Sequence, residues 1–173
     1  MVILEILPVM NMTRSDANAA NTLTEVLITV LLVGIFFASI FELNAVCLRY
    51  IAASKQSVAA IAAVQDRAEA LRNLAFSDLT TTSYVQNLLA TTADGSDYVK
   101  NMTEVVQLSA YPTANGVTQL TRNTDGSVTL NSTATSLGTT LVKLDISQSW
   151  TAVLNGGSRS EQSSTIISNG SKK

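Results

Sequence analysis

Few side chains in this protein are equipped for covalent chemistry. Among 173 residues there is no histidine and one cysteine, Cys47. The commonest general base and metal ligand are therefore missing, and neither an intrachain disulfide nor a thiolate metal cluster can form. Hydrolytic, redox and zinc chemistry are disfavoured, so no catalytic residue, metal or cofactor is expected and the chain does not read as an enzyme. Cys47 lies in an apolar stretch and reads as an inert packing thiol. Asp94-Gly95-Ser96-Asp97 brings two carboxylates near a glycine, but it lacks the regular ligand spacing of a calcium loop and reads as a polar turn. The most unusual setting belongs to Glu25. It heads VLITVLLVGIFFASIF, Val26 to Phe41, a run without another charge. An ionised carboxylate there is costly in lipid or in a protein interior unless it is paired. A plainer use is a capping box, with Thr22 at the N-cap and Glu25 three residues later.

The elements that would hold these residues follow from the composition. Hydrophobic residues make up 46% of the chain and charged residues only 14%, against about a quarter charged in an ordinary soluble domain. The apolar residues are gathered at Val26–Phe41 and continue past Glu42 through LNAVCL to Arg49. At 1.5 Å per residue the first part is about 24 Å long and Val26–Leu48 about 34 Å, which brackets a hydrocarbon core. One membrane-spanning helix is the expectation, with Glu42 at its outer end. A buried core helix has too little other apolar material around it, and a cleaved secretory signal lacks its basic n-region, since Arg14 stands against Glu5 and Asp16. The opening MVILEILPVM is too short to span and contains Pro8, so a start at Met10 or Met12 is also considered. The net charge of −2, without any run of Lys or Arg, gives no nucleic-acid footprint.

Past Arg49 the helical pattern runs without Pro or Gly to at least Phe76. Val58, Ile61, Val64, Ala68, Leu71 and Ala75 recur at three- and four-residue spacing and predict the apolar face, with Lys55, Gln56, Asp66, Arg67, Glu69, Arg72 and Asn73 as polar positions between them. One rod of about 80 Å from Leu23 to Ala75 is expected, broken only by Gly34. Beyond Phe76 the chain is rich in Ser and Thr, with turn signals at Asp94-Gly95, Asn115-Gly116, Asp125-Gly126 and Asn155-Gly156-Gly157. Strands are expected at Thr103–Tyr111, Val117–Arg122, Ser127–Leu130, Thr140–Leu154 and Ser160–Ile167. In the fourth, Val142, Leu144, Ile146, Trp150, Ala152 and Leu154 share one face. A sheet with one buried face, covered by the amphipathic half of the rod, gives an α+β fold. The implied divisions are a leader (1–20), a membrane half of the helix (21–48), an amphipathic half (49–76) and an antiparallel β head (77–173).

The segment Asn21-Thr22-Leu23-Thr24-Glu25-Val26-Leu27 resembles the N-terminal processing motif of type IV pilins and type II secretion pseudopilins, which present a small residue, usually Gly, then Phe-Thr-Leu-Ile/Val-Glu and an apolar helix. Thr22, Leu23 and Glu25 match in place, and a long helix followed by a β-rich head matches the family's plan. Ala20 stands in place of the family's Gly, Asn21 in place of the aromatic residue and Thr24 in place of an aliphatic one. There is no proline near Glu42 and no cysteine pair in the head, which favours a minor pilin or pseudopilin over a major fibre subunit.

The resemblance implies cleavage by a prepilin peptidase between Ala20 and Asn21, methylation of the new amine, and assembly with other pilin-like subunits on an inner-membrane platform, the head lying in the periplasm. It also supplies a partner for Glu25, the N-terminal amine of an adjacent subunit. At about 4 Å and an effective dielectric near 20 the attraction is roughly 4 kcal/mol before desolvation, enough to set one axial register among apolar helices. Secretion, pilus and DNA-uptake systems are equally compatible. The alternative expectation is a signal-anchored binding module or adhesin. One signal opposes a periplasmic head: Arg14 precedes the span while Arg49 and Lys55 follow it, and positive charge favours the cytoplasmic side.

Overall fold

A computed structural model describes residues 15–93 and 96–170, with side-chain surroundings from Thr22 onward. The proposed translation starts and the Asp94-Gly95 turn lie outside the described residues. The chain divides into two compact units with the boundary inside the first helix, between Cys47 and Leu48. That helix, α1, spans Ser15–Arg72.

In the unit that begins at Leu48, α1 packs on a five-stranded antiparallel sheet, so the fold is α+β. The strands are β1 (Thr103–Ala110), β2 (Thr118–Arg122), β3 (Val128–Ser132), β4 (Leu141–Thr151) and β5 (Ser158–Ser168). Their order is β3-β2-β1-β4-β5. Each expected strand is present, with ends shifted by a few residues. Period-two patterning explains why. In β4, Val142, Leu144, Ile146, Gln148 and Trp150 are buried, while the residues between them face outward. The Asp125-Gly126 and Asn155-Gly156-Gly157 signals close the β2–β3 and β4–β5 hairpins. Gly126 and Gly156 adopt φ of +84° and +66° there, a region that a Cβ disfavours.

Two differences from the expected layout concern helices. α1 stops at Arg72, short of Phe76, and the opening of the head carries α2 (Phe76–Leu79), α3 (Thr82–Leu89) and α4 (Asp97–Lys100) before the first strand. α3 is held by an apolar i, i+3, i+4 triplet, Val85, Leu88 and Leu89, within a Ser/Thr-rich segment. Val85 and Leu89 are buried and Leu88 packs against the core.

The orientation of α1 also differs from the predicted face. The residues turned to the sheet are Ala60, Ala63, Val64, Arg67 and Leu71, all buried, whereas Val58 and Ile61 are 63% and 44% exposed. Ala75 is exposed and Ala68 half-buried. An alanine-rich helix has little contrast between its sides, so counting apolar residues does not orient it. What orients this one is Arg67, whose guanidinium bonds Glu104 on β1 through Nε (2.6 Å) and Nη2 (3.0 Å), the Leu88 carbonyl (2.9 Å) and the Thr91 carbonyl (2.6 Å). The main core gathers Val64 and Leu71 of α1, Leu79, Val85 and Leu89 of the short helices, and Val106, Leu108, Leu120, Val142, Leu144 and Ile146 of the sheet. A smaller cluster joins Ala60, Met102 and Trp150, which places Trp150 in the core as expected.

Candidate functional site: an uncovered apolar helix

The unit ending at Cys47 consists, among its described residues, of the first part of α1. Its β-branched residues are indifferent helix formers, but Leu and Ala favour a helix and no proline interrupts it. No described residue covers it. Large apolar side chains from Leu23 to Phe41 are exposed by 44% at Ile40 to 71% at Leu23. A soluble protein rarely leaves so large a contiguous apolar surface open, and such a surface marks contact with lipid or with other chains. The structure thus contains one helix long and apolar enough to cross a membrane, with its most apolar window entirely unburied.

Polar groups within this stretch are arranged to suit such surroundings. Thr29 Oγ1 donates to the Glu25 carbonyl at 2.7 Å, and Ser39 Oγ donates to the Ile35 carbonyl at 2.9 Å. Both hydroxyl protons are therefore satisfied by the helix itself, which lowers the cost of placing them in hydrocarbon. Gly34 has open space around it, with nothing within 4 Å of a Cβ built there. Phe36 and Phe37 meet edge to face, ring centroids 6.2 Å apart.

Glu25 is exposed at the head of the apolar run and Glu42 is exposed farther along. Since α1 begins at Ser15, Thr22 lies inside the helix and not at its N-cap, so the capping-box reading of Thr22 and Glu25 does not apply. Ala20 and Asn21 are in the same helix. Cys47 is exposed, not packed. In the aqueous unit, Asp97 opens α4 and pairs with Lys100 at 3.0 Å, and Ser96 accepts a bond from the Val99 amide as its N-cap. Those roles belong to a short capped helix. Among the described residues no group of acidic, cysteine or histidine side chains is arranged to hold a metal ion.

Sequence reasoning located this surface through the length of the apolar run. It missed that the surface has a counterpart in the aqueous unit, where Ile51, Val58 and Ile61 are exposed on α1. Ile51 and Val58 project about 140–180° away from Ala60 and Leu71, at 100° per residue. It also missed the buried row Arg122, Glu104 and Gln148, which are aligned neighbours across β2, β1 and β4. All three are polar side chains at inward positions of alternating strands, a signal that the strand register carries.

No known protein family, curated protein or solved structure matches this chain.

Proposed function

We propose that this chain is a structural subunit of a pilin-like filament or tip complex, anchored by the apolar part of α1 and assembled through it. The observation that carries the proposal is an apolar run of helix, headed by Glu25, that no described residue of its own chain covers. Lipid covers such a helix before assembly, and neighbouring helices cover it afterwards. Glu25 then serves as a register device, paired with the N-terminal amine that peptidase cleavage between Ala20 and Asn21 would create on an adjacent subunit. The exposed Ile51, Val58 and Ile61 support this reading, since they leave apolar surface open beyond the span. The head would lie in the periplasm, no catalytic residue is involved, and the partners are other pilin-like subunits, the prepilin peptidase, the assembly platform and membrane lipid.

Glu25→Gln keeps side-chain volume and removes the charge. It is expected to leave membrane insertion intact and to reduce incorporation into assembled complexes by roughly tenfold, the loss of a charge pairing of somewhat over 1 kcal/mol. Normal incorporation would sink the assembly role. Mass spectrometry of the mature N-terminus is expected to find a methylated Asn21. An unprocessed anchored chain would favour the binding-module alternative, and a reporter fused after Lys173 that reads as cytoplasmic would defeat both.

A further inference from the structure

Three Asn-Gly pairs lie at the surface of the unit that begins at Leu48: Asn115-Gly116, Asn155-Gly156 and Asn169-Gly170, all of them exposed. Such a pair can modify itself, because a glycine amide nitrogen, with no Cβ beside it, can reach the carboxamide carbon of the asparagine before it. Exposure does not rank the three pairs. Their hydrogen bonds do.

At Asn155 the reacting groups are tied. The Gly156 amide, which would have to lose its proton, donates to the Ala152 carbonyl at 2.9 Å, and the Asn155 side chain is turned past it, with Oδ1 accepting from the Gly157 amide at 3.1 Å. At Asn169 the carboxamide is anchored elsewhere: Nδ2 donates to the Thr139 carbonyl at 2.8 Å and the Asn169 amide to the Thr140 carbonyl at 2.7 Å. Asn115, in the connection between β1 and β2, differs. Its carbonyl accepts from the Thr135 amide at 3.2 Å, and the residue bridges to Ser136. The peptide to Gly116 is trans, which sets the Gly116 N–H opposite that carbonyl and away from Thr135. Neither this N–H nor the Asn115 carboxamide bonds another described residue. The fold also requires glycine at position 116, since Gly116 adopts φ of +89° and a Cβ there would lie 3.1 Å from the Ala134 Cα.

We infer that Asn115 is a self-modifying site, which loses its amide nitrogen to become aspartate or isoaspartate while Asn155 and Asn169 are held back. Hydroxide takes the Gly116 amide proton and the nitrogen attacks the Asn115 Cγ. The new N–Cγ bond closes a succinimide as the Cγ–Nδ2 bond breaks, and ammonia leaves with a proton from water. Water then opens the ring. Breaking the N–Cγ bond restores the ordinary main chain with an aspartate, whereas breaking the bond from that nitrogen to the main-chain carbonyl carbon leaves the chain running through Cγ. Overall a water is consumed and an ammonia released, without oxidation or reduction. Each converted copy gains a negative charge on the β1–β2 connection, and the isoaspartyl form adds a carbon to the main chain where it bridges to Ser136. Old and new copies therefore differ chemically, whether or not the chain assembles.

The test incubates the full-length chain in detergent micelles, in mildly alkaline buffer made with heavy-oxygen water, beside a sample unfolded in guanidinium chloride. Mass spectrometry follows each Asn-Gly peptide. In the unfolded sample the three pairs are expected to convert at comparable rates. In the folded chain Asn115 stays within severalfold of its unfolded rate, while Asn155 and Asn169 slow by about tenfold, the factor for one retained hydrogen bond of about 1.4 kcal/mol. Uptake of heavy oxygen and a mixture of aspartyl and isoaspartyl products mark the ring route. Asn115→Gln, whose longer side chain closes a larger ring more slowly, is expected to lose the conversion and keep the fold. A folded-state rate at Asn115 no greater than at Asn155 or Asn169, or no conversion of Asn115 in the time the unfolded chain converts, overturns the proposal. Neither outcome bears on the Glu25 test, so this inference and the assembly reading fail separately.

Discussion

Arg67 donates to one carboxylate and two carbonyls while only 2% exposed, and its partner Glu104 is fully buried. Removing one member leaves the other charge in a medium that solvates it poorly, whereas removing both relieves that cost but takes the donor from the Leu88 and Thr91 carbonyls and leaves buried Arg122 and Gln148 beside the gap. Arg67→Met is thus expected to destabilise the unit from Leu48 onward by about 3–5 kcal/mol, while Arg67→Met with Glu104→Met recovers only part of that loss in a urea melt, because Arg122 stays buried beside the gap. At the surface, the Asp125 carboxyl is held below its ordinary value chiefly by the Ser127 hydroxyl (2.6 Å), then by the Ser127 amide (2.8 Å). A carboxylate with a depressed folded-state pKa stabilises above its unfolded pKa, and that contribution is lost as pH falls through the lower folded value. The Ser127 amide resonance should therefore titrate below the usual carboxylate range, and Asp125→Asn should abolish that step. Residue roles of this kind were only partly legible in the sequence. Glu25 stood out because a lone charge heads an apolar run, but Arg67 read as a surface position, since nothing local shows that Glu104, 37 residues away, will meet it.

The side of α1 turned into the core carries small residues as well as large ones. Ala60 and Ala63 are fully buried, and a larger side chain at either would have to displace the helix or neighbouring rotamers. Ala63→Leu is expected to cost about 1–3 kcal/mol despite adding apolar volume, whereas Ala62→Leu on the adjacent, half-buried side should be near neutral; paired thermal melts would show the contrast. The same alanines explain why the predicted face was only half right: Val64, Ala68 and Leu71 pack in the core, but Val58 and Ile61 stood out as large apolar residues and drew the predicted face toward themselves. The strands were legible to within a few residues at their ends because alternation in β1 and β4 is strong. α2 and α4 are single turns, too short for a periodic signal, and α3 was hidden by the Ser and Thr around its apolar triplet.

The whole molecule has two units with different surfaces. The part from Leu48 onward holds the buried core and the sheet, and the part before it has its large apolar side chains uncovered. A fragment beginning at Leu48 is expected to remain folded in buffer without detergent, whereas the full chain requires a micelle or bilayer. Circular dichroism and size-exclusion chromatography of the two would check this, and an aggregated fragment would mean that the apolar segment completes the aqueous fold. At this scale the sequence was at its most informative, because the change from an uncharged apolar run to a Ser/Thr-rich segment marks a change of solvent, which needs no knowledge of side-chain contacts. The pairing order of the strands was not legible, because the β1–β4 ladder depends on residues far apart in the chain.

In the assembly proposed above, the two hydroxyls bonded back to their own helix, Thr29 and Ser39, bear on how a subunit would tell its kin from strangers. With their protons committed locally, they offer a neighbouring helix little directional recognition, and the surrounding Leu, Ile, Val and Phe side chains accept any greasy companion of similar shape. Discrimination between self and related chains must then be vested outside the bilayer, where charges and shaped surfaces can penalise a wrong match. In a cell that makes several such subunits, mixed assemblies would be sorted by their heads, and exchanging the apolar segment for another of similar length would alter membership far less than exchanging the part that follows Leu48.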